Sequence, residues 1–338
     1  AIARAHAFER AKGTGASARA WLSIPRADTA RRLVLLGLVV ALQNLLELPR
    51  APLVRLLGVG GAGVAVTVAL AGSLALALVA LRPRVPNWRW LRWRPVQVAV
   101  LLATLAAVPT GALQMGSIAA AGFQPPNYAN DGTTLDHYAA MQLLAGHNPY
   151  VSSSIFAAVR VLHQDPAHTT PLRQGTFAAL PPTAYPTASQ LRAAFAAAAT
   201  APPHATPSFE SRVSYPALAF LPLVPRVKLG MPSVEPFFAL CFLALAILLL
   251  LSVPATLRPW LALLIVADAP LLDATVTGDL DVFYVLLLFV AWRYWRQPFT
   301  SALALGLALA AKQLAWFFLP YYFIRVGRER GWREALLR

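Results

Sequence analysis

Cysteine and charge are both scarce in this chain. The single cysteine, Cys241, lies inside the apolar run 237–253, so disulfides play no part in the fold. Asp, Glu, Lys and Arg make up 13% of the 338 residues, where a soluble domain carries about 25%. With 58% hydrophobic residues and a mean hydropathy of +0.57, that shortage excludes an ordinary soluble domain and points to a membrane protein. Acidic residues number 14 against 29 basic ones, a net charge of +15. Nucleic acid is not the expected partner, because the arginines fall in short clusters between apolar runs rather than along one face. No compact apolar stretch with a cleavage site occurs in residues 1–28, so no cleavable signal peptide is expected. That basic segment reads either as a cytoplasmic tail or as a helix lying on the leaflet, with Phe8, Trp21 and Leu22 on its apolar side. There is no tandem repeat, no Gly-x-Ser-x-Gly elbow and no Walker lysine. Gly58–Gly63 spells a dinucleotide fingerprint, but no strand precedes it, and close helix packing is the expected reason for these glycines. His163 and His168 flank Pro166, which breaks the helix that would align them, so no metal site is expected there.

What the chain has in abundance is apolar length. A helix needs roughly twenty apolar residues to cross the hydrocarbon core. Residues 33–48 with flanks, 56–81, 96–121, 237–253, 260–274 and 282–292 with flanks qualify, and 298–326 forms a seventh region. The expected fold is an all-α polytopic membrane protein with about six full transmembrane helices and a broken or re-entrant pair. Its parts are a cytoplasmic segment 1–30, a hairpin and basic loop 31–95, and a membrane region 96–338. Arg26, Arg31 and Arg32 precede the first span, and Arg82, Arg84, Arg89, Arg92 and Arg94 interleave with Trp88, Trp90 and Trp93 before the third. The positive-inside rule puts both clusters, and the N-terminus, on the cytoplasmic side of a plasma membrane. Arg293 and Arg296 belong inside, as do the arginines from Arg325 to Arg338, which requires a bend near Lys312. A bend at membrane depth implies a cavity.

The third span then delivers a long polar segment, 122–213, to the outer side. Short helices are expected at 151–163 and 187–200, with proline-rich turns between them. The segment has few aliphatic runs and is expected to lie on the membrane surface rather than fold by itself. Asp131 and Asp136 stand at its start, where a carboxylate partly shielded from water can act as general base toward a hydroxyl. The structural alternative is helix capping by Asp131 or Thr133. Lys312 and Gln313 interrupt apolar sequence; an ammonium at membrane depth seeks a cavity or a partner, here a phosphate or the carboxylates Asp279 and Asp281.

Together these pieces resemble the GT-C superfamily, multispanning glycosyltransferases that use polyprenyl-phosphate sugars. The resemblance rests on Asp131-Gly132, Ala139-Ala140 and Leu143 through Tyr150, on Ser214-Tyr215-Pro216-Ala217-Leu218, and on Gly278-Asp279, Gly306-Leu307-Ala308, Lys312-Gln313 and Leu319-Pro320. It covers about residues 96–338. It implies sugar transfer with inversion to an acceptor hydroxyl on the outer side, with Asp131 as base and Asp136 as the competing assignment. Lys312 and Gln313 would lie near the carrier phosphate, and His137, Tyr138, Tyr215 and Asp279 would contact substrate. The implied partners are a polyprenyl-phosphate sugar, a lipid or glycan acceptor, and membrane lipids. No metal or other cofactor is implied, since the leaving group is a monophosphate. Three departures stand out: Ala217 replaces a usual proline, Leu135-Asp136 replaces an aromatic, and the chain ends before the family's remaining helices. The alternative is a non-catalytic subunit of a larger membrane assembly that keeps a GT-C-like fold.

Overall fold

In the computed structural model the described residues are 27–46, 50–82, 84–121, 123–181, 184–201, 206–276, 278 and 281–337. Among them the chain is all-helical; an isolated bridge between Pro171 and Phe209 is its closest approach to a sheet. In chain order the helices are α1 (Ala27–Leu46), α2 (Arg50–Leu81), α3 (Arg94–Ala121), α4 (Asp131–Leu144), α5 (Pro149–Ser152), α6 (Ile155–Val161), α7 (Ala188–Ala199) and α8 (Val224–Lys228). They continue as α9 (Glu235–Ser252), α10 (Arg258–Ala267), α11 (Ala269–Val276), α12 (Asp281–Arg293), α13 (Pro298–Ala311), α14 (Leu319–Arg330) and α15 (Trp332–Leu337). The N-terminal segment, with Phe8, Trp21 and Leu22, and the site candidate Asp279 lie outside the described residues.

Three helical segments are long and apolar enough to cross a membrane: Gly60–Leu81, Arg94–Ser117 and Glu235–Ser252. Many of their leucines and valines point outward instead of into a core. Val64, Val68, Leu74, Leu102, Leu113 and Leu240 are all more than half exposed, which suits hydrocarbon and not water. The expected span 260–274 is two helices, because the backbone breaks at Asp268 (φ −82°, ψ 77°) between α10 and α11. Asn44 of α1 patches the break: its amide donates to Ala267 O at 2.8 Å and accepts from Ala269 N at 3.2 Å. The break near Lys312 is present. α13 ends at Ala311, Lys312 is extended (φ −149°, ψ 139°), a 3-10 turn runs Gln313–Phe318, and α14 follows.

The described residues form two compact units, one of 27–115 and 246–273, the other of 116–245 and 274–337. In the first, α1 packs on α2 and α10, and Gly37 lies so close against Val100 that a side chain there would collide. The glycines at 58–63 do not serve close packing. Gly58 makes a kink (φ 69°), and a methyl group at Gly60 or Gly63 would meet open space.

The second unit contains an outcome the sequence reading missed. Segment 122–213 has its own hydrophobic core: Leu135, Ile155, Val159, Phe177, Leu191, Phe195, Phe209 and Val213 are buried together, with Phe220. Phe177, Phe195 and Phe209 form an edge-to-face chain with centroids 5.4–5.6 Å apart. The core combines phenylalanines, alanines and single aliphatic residues spread along the chain, so no aliphatic run announces it. Further on, α12 packs against α13, and Ser301 ties three helices, donating to Ala291 O at 2.8 Å while meeting the Tyr322 hydroxyl at 2.6 Å.

Candidate functional site

α4 carries the site, and its start is fixed by a residue neither capping expectation named. Asn130 is the N-cap, its side chain accepting from Thr133 N at 2.8 Å, and Asp131 occupies the first turn. Asp131 is then used up locally: its two carboxylate oxygens accept from Thr170 N (2.8 Å) and Thr170 Oγ1 (3.0 Å), tying the helix to a segment 39 residues away. Thr133 donates from its hydroxyl to the carbonyl of Gly278, and Thr134 donates to Asn130 O at 3.0 Å. Gly132 leaves room for an aromatic ring on this first turn, since a methyl group there would stand 3.0 Å from Cε2 of Tyr215.

One turn further, Asp136 is wholly buried, and both of its carboxylate oxygens lack a hydrogen-bond partner among the described residues. A buried carboxylate without donors is costly in its ionised form. Burial accordingly pushes its pKa up to about 8, with the charge of Lys312 pulling in the opposite direction. The charge of Asp136 is felt in turn by Tyr150 and Tyr215, both held above the ordinary phenol range chiefly by burial. These two tyrosines are joined, the Tyr150 hydroxyl donating to Tyr215 O at 3.1 Å.

Lys312 enters the site from the break after α13. Its ammonium pairs with Asp281 at the start of α12 and lies over the rings of Tyr215 (5.5 Å) and Tyr284 (5.8 Å). The lysine side chain is 13% exposed and the Asp281 side chain 42%. Tyr215 is therefore the hub, its phenol under the influence of Lys312, Asp136, Asp131 and Asp281 together.

The remaining sequence candidates lie around this hub in different roles. Gln313 donates to Ser214 O at 2.7 Å, fastening the break to the residue before Tyr215. His137 faces away, its Nδ1 2.9 Å from the buried Tyr128 hydroxyl; burial, and secondarily Arg226, lowers its pKa to about 4. Tyr138 is half-buried between two hydrophobic clusters. The structure thus gathers Asp136, Tyr215 and Lys312 into one place, with Asp131 at its edge. Tyr150 and Tyr284 join them unforeseen; Tyr150 was visible only as the end of a motif, and Tyr284 gave no signal within the apolar stretch of α12.

A cavity of about 340 Å³ lies elsewhere, in the first unit, lined by apolar residues such as Leu33, Leu101, Trp260 and Leu264 with Gln97 and Thr104. It holds no titratable side chain and is not part of this site. The described architecture is that of an all-helical protein with three helices able to cross a membrane. Searches of family models, curated proteins and solved structures find no match to this chain.

Proposed function

We propose that this chain is an integral membrane glycosyltransferase, or a part of one, that moves a sugar from a polyprenyl-phosphate carrier to an acceptor hydroxyl with inversion. The observation that carries the reading is Asp136, a buried carboxylate with no hydrogen-bond donors, electrostatically coupled to a nearly buried ammonium. Groups with strongly shifted pKa values beside a specific charge partner cluster at functional sites. Of the two carboxylates weighed from the sequence, Asp136 suits the base better, because Asp131 spends its oxygens on Thr170. In the reaction the acceptor oxygen gives its proton to the Asp136 carboxylate and bonds to the anomeric carbon. The bond from that carbon to the phosphate oxygen breaks, and the carrier leaves as a phosphate monoester beside Lys312. Tyr215 and Tyr150 frame the acceptor side. The proposal places the site on the outer face of a plasma membrane, with the shorter helices α10, α12, α13 and α14 completing further crossings in addition to the three long ones.

One feature favours the competing reading, a non-catalytic subunit: Asp136 has no solvent-accessible surface. A single assay separates the two. Membranes bearing the protein are given radiolabelled polyprenyl-phosphate sugars, with Asp136→Asn and Asp131→Asn alongside. Loss of a general base lowers turnover by about 10²–10⁴-fold. Asp136→Asn is expected to lose that much and Asp131→Asn much less. Equal transfer by Asp136→Asn and wild type removes the base assignment, and no transfer by wild type supports the subunit.

A further inference from the structure

A second cluster of charge lies in the same compact unit and shares no residue with the Asp136 site. The end of α12 and the turn after it read Trp292-Arg293-Tyr294-Trp295-Arg296, and α14 and α15 supply Arg325, Arg328, Arg330 and Arg333. Only Glu329 and Glu334 accompany these six arginines. Three of the guanidinium groups converge on one indole: Arg325 lies 4.7 Å from the Trp295 ring centroid, Arg296 5.4 Å and Arg330 5.7 Å. Arg325 also stands 4.9 Å over Trp292. The turn is fixed from across the cluster, since Arg330 donates to Arg296 O at 3.3 Å.

Charge balance is incomplete. Glu329 pairs with Arg325 at 3.4 Å and Glu334 with Arg330 at 3.7 Å, while Arg296 has no carboxylate within ion-pair distance among the described residues. Aromatic faces attract cations but do not neutralise them. Three like charges around one ring therefore favour a bound anion, and planar guanidinium groups suit phosphate oxygens in particular. The rim is apolar and exposed: Trp292 43%, Trp332 60% and Leu336 79%. A soluble phosphate has no use for such a rim, whereas an amphiphile does. Interleaved cations and indoles at the ends of apolar helices match the headgroup layer of a membrane.

We propose that Arg296, Arg325 and Arg330 around Trp295 form a binding site for the phosphate of an anionic membrane lipid, with Trp332 and Leu336 as contacts for its acyl chains. The test uses the full chain purified in neutral detergent, with phosphatidylglycerol and phosphatidylcholine competing and the bound lipid counted by native mass spectrometry. Wild type is expected to retain phosphatidylglycerol preferentially, and the preference weakens as salt rises. Arg296→Gln and Arg330→Gln should each reduce the preference by about fivefold, the weight of one cation at an anionic surface. Arg296→Lys should keep most of it. Glu329→Gln, which removes an opposing charge, should strengthen it, an increase that a merely structural role for these arginines does not predict. Equal retention of the two lipids by wild type overturns the site, as does an undiminished preference in the glutamine variants. Full displacement by soluble glycerol phosphate overturns the assignment to a lipid. Should the arginine variants fail to fold, Glu329→Gln decides: a stronger preference upholds the site and an unchanged one refutes it.

Discussion

The Tyr128 hydroxyl stands 2.9 Å from Nδ1 of His137 and 3.0 Å from the backbone nitrogen of Val234, and all three residues are buried. The Val234 N–H donates to the hydroxyl oxygen, and the hydroxyl shares a second hydrogen bond with Nδ1 whose direction is set by the His137 tautomer. His137 is a neutral ring at neutral pH, in keeping with its lowered pKa. This bridge fastens α4 to the residue before α9.

Tyr128→Phe tests the bridge. It leaves the Val234 N–H and His137 Nδ1 without their partner, at about 1–3 kcal/mol for each orphaned buried group. Reversible unfolding in a detergent-denaturant series should show a loss of about 2–6 kcal/mol for the two together. His137 also predicts an acid limb: with an ordinary pKa of 6.5 and a folded value near 4, the unfolded state binds more protons in between. Stability from this group is complete above pH 6.5 and declines as pH falls toward 4. A His137→Gln variant should lack that decline.

Asp136 has the opposite sign. Its folded pKa near 8 exceeds the ordinary 3.8, so between these values the folded state holds a proton that the unfolded state has released. Its contribution is complete below about pH 4 and is lost as pH rises to about 8, on the order of several kcal/mol. On the proposed function the base must be ionised, so sugar transfer should climb with pH and level off above about 8. The protein is thus expected to grow more active and less stable over the same interval. Asp136→Asn should abolish the first trend and flatten the second; a pH-independent rate in wild type would contradict the base role.

Lys312 and Asp281 should respond unequally to substitution. Lys312→Met removes the charge that pulls the Asp136 pKa down, so any residual transfer should need a higher pH, while the half-exposed Asp281 is rehydrated at little cost. Asp281→Asn instead takes a carboxylate from an ammonium that is 13% exposed, and should destabilise more, by about 1–3 kcal/mol. Thermal unfolding of the two variants in the same detergent gives the order. The reverse order would place the main support of Lys312 elsewhere.

Gly278 adopts φ +80°, and a methyl group there would stand 3.0 Å from Cγ2 of Thr133. Gly278→Ala should cost about 1–2 kcal/mol from the left-handed backbone alone, with the crowding of Thr133 added. Thr133→Ala, which relieves the crowding but forfeits the hydroxyl bond to the Gly278 carbonyl, should not rescue it. Full rescue in the double variant would mean that the hydroxyl bond carries no weight.

Two boundaries set by local chemistry were legible in the chain, whereas the Asn130 cap of α4 was not. Thr187 caps α7 through a reciprocal capping box with Gln190, and the interruption by Lys312 and Gln313 fell where two apolar stretches meet. The proposed partnership of Lys312 with a carboxylate of the preceding hairpin also took its form from sequence, through Asp281. The division of labour between Asp131 and Asp136 was not legible, because it depends on Thr170, 39 residues away, and on burial that only packing creates. The break at Asp268 was hidden for the same reason: its backbone groups are satisfied by Asn44, more than 220 residues distant. Phenylalanines scattered through 177–220 carry no periodic signal, yet with single aliphatic residues they make the core of the polar segment.

That aromatic core sets an order of assembly. Its buried members all fall between Leu135 and Phe220, so every contact within it can close once that length has left the ribosome, before α9 is complete. A later helix then meets a partner that is already shaped. A truncation after Phe220 should still shield Phe177 from a protease, whereas one ending before Phe195, which lacks Phe195 and Phe209, should leave Phe177 open to cleavage.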